Sequence, residues 1–284
     1  MPHPDATSTP ADTIAPRRAT PARLRLGCVS YLNARPLIDG LESDEAVALH
    51  RDVPARLLAD LEAGRVDAAL CPVVDYHRAT VPLVILPQAG GIGSRGETLT
   101  VRLFSRVPLE SLTRVHVDVE SHTSVALLAV LFRERYGRAL ELVPLEPGDD
   151  EPGAVLLIGD KVVTDAPARS RYPHQLDLGE AWHERTGLPF VFAVWMTRAD
   201  AAVDGLAERL AARRAVNAAR IEAIARVHGP AHGWPVELAT RYLGQIMRYD
   251  VGAVELTAMR RFSELAAVAG LIDTARPLRI WGEK

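Results

Sequence analysis

An α/β fold of two lobes is what this sequence predicts, and three observations predict it. Between Leu24 and Thr197, short apolar runs alternate with helix-like segments, the pattern of sheets covered by helices. After Ala199 the alternation stops, and three helical segments follow with no strand between them. The chain has 284 residues, 48% of them hydrophobic, enough for one large core or two ordinary ones.

The elements follow in order. "LRLGCV" from Leu24 reads as a buried strand, and "ARPLIDGL" after it as a short helix. "VALHRDV" is strand-like. "PARLLADLEAG" is a helix with Pro54 in its first turn and Gly64 at its end, where those residues are best tolerated. "VDAALCPV" is a strand entering a short helix near Val73 to Arg78, and "LVILPQ" and "TLTVRLFS" are further strands. A second alternation repeats the scheme: strand "TRVHVDV", helix "HTSVALLAVLFRERYG", strands "ALELVPL" and "AVLLIGD", the mixed segment "LDLGEAWHERTG", and strand "PFVFAVWMT". The expected sheets are parallel. The expected lobes are residues 23–105 with the helices of 197–284 returning to them, and residues 106–196. Residues 1–22, rich in Pro, Ala and Thr, are expected to be a disordered tail. Such a layout puts a ligand cleft between the lobes, where strand ends meet helix starts.

Charge and composition narrow the function. A net charge of -3 without a block of like charge argues against an extended nucleic-acid surface. Cys28 and Cys71 sit in apolar strands and read as packing thiols, and no CxxC or Cys/His pair suggests zinc. No run is long and apolar enough for a membrane span or a signal-peptide core, so the cytoplasm is expected.

Three polar turns carry the candidate chemistry. The first, "SYLNARP", offers Ser30, Tyr31, Asn33 and Arg35 at a strand end. Asn33 can both donate and accept without adding charge, and Arg35 can pair with a carboxylate. The second, "GSRGETLT" from Gly93, offers Gly93, Ser94 and Thr100, with glycines that admit a ligand close to the backbone. In the third, "VESHTS" from Val119, the groups Ser121, His122, Thr123 and Ser124 open a helix. Hydroxyls and free N–H groups at a helix start bind anions. The plain alternative for Ser30, Asn33, Thr123 and Ser124 is helix capping. Asp160 ends the strand "LLIGD", either as a cap or as a cleft residue. The acidic "GDDEPG" of Gly148–Gly153 reads as a solvated loop rather than a metal site. "GSRGET" is not a nucleotide-binding loop, and neither a GxSxG nor an HExxH pattern is present.

Taken in order, "SYLNARPL", "IGSRGETLTVRLFS", "DVESHTSVALL", "LLIGDKVV" and "DLGEAWHERTGLPFVFAVW" resemble the chorismate dehydratase family of the futalosine route to menaquinone. The resemblance runs from Arg23 onward. It departs at Thr100, where family members often carry Ser, and in the long N-terminal segment. It implies a two-lobed type II periplasmic-binding-protein-like fold. It also implies a hydro-lyase that removes water from chorismate to give 3-[(1-carboxyvinyl)oxy]benzoate. Aromatisation drives that reaction, so no metal or other cofactor is implied. The implied partner is chorismate, with no nucleic acid and no membrane span, and the oligomeric state is left open. Asn33 would be catalytic. Ser30, Tyr31, Arg35, Gly93, Ser94, Thr100, Ser121, His122, Thr123, Ser124 and Asp160 would bind substrate. The base would be the substrate's own carboxylate, or else His122 or Asp160. Two other classes fit the same motifs: a non-catalytic binder of small anions, and the related naphthoate-forming enzyme of the same pathway.

Overall fold

The computed structural model describes residues 23–118, 121–146 and 152–283. The expected tail (1–22), Val119 and Glu120 of the third turn, and most of the Gly148–Gly153 loop lie outside the described residues. The strands are β1 (Leu24–Cys28), β2 (Val47–Arg51), β3 (Ala68–Pro72), β4 (Leu83–Ile85), β5 (Gly91–Ser94), β6 (Val101–Ser105), β7 (Arg114–Val117), β8 (Glu141–Pro144), β9 (Ala154–Ile158), β10 (His174–Asp177), β11 (Phe190–Arg198) and β12 (Met247–Arg248). The helices are α1 (Arg35–Ile38), α2 (Pro54–Glu62), α3 (Asp75–Arg78), α4 (His122–Tyr136), α5 (Lys161–Thr164), α6 (Leu178–Thr186), α7 (Leu206–Ala218), α8 (Ile221–Ala231), α9 (Val236–Arg241) and α10 (Ala253–Val268).

Two sheets result. One has the order β12-β5-β11-β3-β1-β2, with β4 paired to β11, and the other has the order β10-β6-β9-β7-β8. The alternating βα units give parallel pairs, β1 with β2 and β3, and β7 with β8 and β9. The sheets are nevertheless mixed rather than parallel. Strand β11 runs antiparallel to β3, β4 and β5, and β6 runs antiparallel to β9 and β10.

Those two strands also shift the boundaries expected at 105/106 and 196/197. β6 belongs to the second sheet and β11 to the first. Both are buried along nearly their whole length. A strand apolar on both faces signals a core but not which core it joins. The chain therefore crosses between the sheets through 95–100 and again through 187–189.

The C-terminal segment differs from the expected three helices. What reads as one long helix is broken between α7 and α8, where Asn217 is fully buried and donates to the Asp39 carbonyl at 3.0 Å. After α9 the chain widens into a π-helical turn, Tyr242–Ile246, and drops into β12 beside β5. Cys28 and Cys71 are buried and free, as their apolar strands predict, and burial pushes the Cys28 thiol up to about 12.

Helix α3 is pinned to α10 through His77. Arg276 N–H donates to its Nδ1 at 3.1 Å, and its Nε2 lies 2.6 Å from Ser263 Oγ, which donates to the Met259 carbonyl. That pattern requires a neutral ring. Burial, and then the Arg276 charge, lower its pKa from 6.5 to about 4. The unfolded chain takes up this proton near pH 6.5, and the native site refuses it until about 4. Stability should therefore be intact above pH 6.5 and fall between 6.5 and 4, by up to about 3 kcal/mol. Denaturant unfolding at stepped pH checks this. His77→Gln should flatten the acid limb, and an unchanged limb would assign it to other groups.

Candidate active site

The crossing segments, the strand ends and the start of α4 enclose a cleft between the two sheets. Its volume is about 590 Å³ including the open mouth. Asn33, Thr98, Thr100, Ser121, His122, Thr123 and Ser124 line it, facing an apolar wall of Leu70, Pro72, Ile92, Ile158 and Phe192. Among the described residues, no Lys, Arg, Asp or Glu lines it.

Capping does not explain the first turn. A 3-10 helix, Leu32–Ala34, begins after Tyr31, and α1 begins after Ala34. Neither start has a side-chain capping bond. Asn33 instead carries a buried Oδ1 with no partner in the protein. Tyr31 packs on Gly159, whose left-handed backbone (φ +59°) brings it so close that a Cβ there would lie 2.9 Å from the ring. The third turn behaves similarly. Ser121 holds the N-cap position of α4 without a side-chain capping bond, and Thr123 Oγ1 accepts from Val74 N–H at 3.4 Å.

Two carboxylates, one buried and one half-buried, hold these groups from behind. Asp75, fully buried, lies 2.7 Å through Oδ1 from His122 Nδ1. Asp160 accepts from Trp234 Nε1 at 2.9 Å, lies 2.8 Å from His232 Nδ1, and takes a long bond from Leu32 N–H. These contacts join the second sheet's connections to the first sheet and the C-terminal helices.

The crossing loop has its own clamp. Leu99 sits at φ +67°, the only non-glycine residue with positive φ among those described. Asp177 accepts from Thr98 N–H at 2.9 Å and Leu99 N–H at 2.7 Å. The same carboxylate caps α6 through Gly179 N–H and Glu180 N–H. Gly179 presses so closely on the loop that a Cβ would overlap Thr98 Oγ1. This loop delivers Thr98 and Thr100 to the cleft.

Of the candidates read from sequence, Tyr31, Asn33, Thr100, Ser121, His122, Thr123 and Ser124 converge on the cleft. Five do not line it. Ser30 is exposed. Arg35 pairs with Glu42 at 3.4 Å, in the first turn of α1. Gly93 and Ser94 lie in β5, because the second turn begins only after it, and Ser94 Oγ is engaged by Thr98 Oγ1 at 2.6 Å. Asp160 stands behind the cleft. Sequence reasoning missed Thr98, Gly159, Phe192 and Met247 in the lining, and Asp75, Asp177 and Tyr242 behind it. Asp177 alone had a signal: an Asp at a strand end before a helix is an N-cap pattern.

Comparison with solved structures supports the fold. A crystal structure from Archaeoglobus fulgidus superposes with a TM-score of 0.69 at 17% identity, covering 88% of this chain and 98% of that one. A Candida albicans protein described as exhibiting the generic periplasmic binding protein fold gives 0.63 at 10% identity, covering 88% and 90%. The two-lobed, periplasmic-binding-protein-like class expected from sequence is therefore borne out. Among curated proteins, a chorismate dehydratase of Thermus thermophilus is 32% identical over 84% of this chain and 93% of its own length. One from Campylobacter jejuni is 30% identical over 57% and 58%. A family model described as menaquinone biosynthesis matches residues 24–268, which agrees with the five ordered motifs, and the chain belongs to that menaquinone-biosynthesis family.

Proposed function

We propose that this protein is a hydro-lyase that eliminates water from chorismate, giving 3-[(1-carboxyvinyl)oxy]benzoate. The observation that carries the reading is the 32% identity with a chorismate dehydratase across nearly its whole length. The cleft supports it, because its walls suit the substrate. Chorismate is a flat, partly apolar ring with two carboxylates, one hydroxyl and an ether. The apolar wall takes the ring, and the hydroxyls and amides opposite take the oxygens.

The chemistry removes a proton from the ring carbon bearing the ether, and the hydroxyl from its neighbour. The C–H electron pair becomes part of the aromatic ring, the C–O pair leaves with oxygen, and the oxygen departs as water. The enolpyruvyl carboxylate lies beside the proton and takes it in this reading. The chain's own residues then orient and exclude water, which is catalysis by positioning and electrostatic preorganisation. Ser121, Thr123, Ser124 and the first-turn N–H groups of α4 bind one carboxylate. His122, held at Nδ1 by Asp75, presents its other ring nitrogen for the same role. Asn33 and Thr100 meet the reacting hydroxyl.

Incubating the purified protein with chorismate alone tests the proposal. The product should appear as a new aromatic absorbance with a mass lower by one water. Binding without turnover would make the protein an anion carrier. Chorismate left unbound and unchanged would point to a later step of the pathway.

A further inference from the structure

Thr100 and Asn33 share a hidden neighbour. Tyr242 opens the π-helical turn after α9 and is 1% exposed. Its hydroxyl lies 2.7 Å from Thr100 Oγ1, its one hydrogen-bond partner among the described residues, with the Asn33 side chain close by. Trp234 stacks on its ring at 4.8 Å and 24°, and is itself tied to Asp160. The phenol is therefore fixed in place. A π-helical turn in an otherwise regular segment marks functional sites often enough to prompt the question of what this one positions.

The directions of the hydrogen bonds follow from the groups. Burial holds Tyr242 above the ordinary tyrosine range, so the phenol keeps its single proton. A buried phenol proton left unshared is costly, and Thr100 Oγ1 is its one acceptor. Tyr242 O–H therefore gives to Thr100 Oγ1. The proton of Thr100 must then go elsewhere, and Thr100 lines the cleft. Asn33 lines the same cleft and carries Oδ1, the buried acceptor with no protein partner. The two side chains thus offer one donor and one acceptor.

We propose that Tyr242 is a positioning residue for the dehydration, its hydroxyl fixing that of Thr100 so that Thr100 donates to the departing hydroxyl oxygen while Asn33 beside it accepts that hydroxyl's proton in a hydrogen bond. This rests on the chorismate reading. No protein group changes its protonation state. The proton taken from carbon ends on the departing oxygen, which leaves as water. Thr100 and Asn33 hold that oxygen in line while the C–O bond breaks. Without Tyr242 O–H, nothing holds the Thr100 proton toward the cleft.

The experiment is a cycle of Tyr242→Phe, Thr100→Val and the double variant, assayed with chorismate. Each single change should lower kcat by at least about 10-fold, toward the range for losing one preorganised donor, with KM within about 3-fold. Because the two act as one unit, the double variant should match the worse single one rather than the product of both. Full kcat in Tyr242→Phe, or a multiplicative double variant, overturns the proposal. Should Tyr242→Phe fail to fold, Thr100→Ser against Thr100→Val decides. Ser keeps the hydroxyl and should keep kcat where Val loses it, and equal losses reject the proposal. If the parent protein does not turn chorismate over, the functional reading fails and takes this proposal with it.

Discussion

Asn33→Asp should lose about 10²- to 10³-fold in kcat and also bind chorismate worse than Asn33→Ala does. The reason is charge. An added carboxylate about 4 Å from a substrate anion costs on the order of 4 kcal/mol at an effective dielectric constant of 20. It also gives up the amide N–H. Asn33→Ala removes the amide without adding charge, so it should lose turnover but retain more affinity. Capping cannot confuse the result, since neither helix start beside Asn33 uses a side-chain cap. Steady-state kinetics with equilibrium binding on both variants settles the order. An Asn33→Asp enzyme with parental turnover would remove Asn33 from the chemistry.

The second large effect is on stability, at Asp177→Ala. This carboxylate is 4% exposed and accepts from four backbone N–H groups, with Arg102 3.4 Å away. Removing it uncaps α6, at about 1 kcal/mol. It also leaves the Thr98 and Leu99 donors without their partner, at about 1–3 kcal/mol each. A total loss of about 3–7 kcal/mol is expected in denaturant unfolding. The strained Leu99 should relax once released, so turnover should fall even where the protein stays folded. Asp177→Asn should be milder, because it caps about as well but sets an amide nitrogen against N–H donors. A loss below about 1 kcal/mol in Asp177→Ala would mean that water replaces the clamp.

Much of the fold is legible in the sequence because hydrophobic period reports secondary structure directly. The strand–helix order from Leu24 to Thr197 is read correctly, apart from the short β5. What the period cannot report is partnership. β6 and β11 are both buried along nearly their whole length, so nothing in "VRLFS" or "FVFAVWMTR" says which sheet takes them. The same limit applies to the site. Asn33 and the "SHTS" turn stand out because polar groups crowd a strand end and a helix start. Asp75 and Tyr242 are single residues in ordinary segments, 167 positions apart in the chain, and only folding brings them behind the same cleft. The π-helical turn and the two-residue β12 have no pattern long enough to read.

The order of strands in the two sheets also has a consequence for how the chain matures. The second sheet is built from one continuous stretch, β6 to β10, and can close once Asp177 has been made. The first sheet cannot close then. Its inner strand β11 emerges only after the whole second sheet, and its edge strand β12 later still. Until then β3 shows one unpaired edge of buried-type residues, the kind of edge that invites wrong pairing. Long-range pairing of this kind is slow to form. In pulse-labelled refolding, amides of β6 and β9 should gain protection before those of β3, and simultaneous protection would show that the two sheets fold as one. A ribosome making this protein thus holds an exposed half-sheet for the time needed to add more than a hundred residues between Pro72 and Phe190, which makes this interval the one in which a chaperone has most to protect.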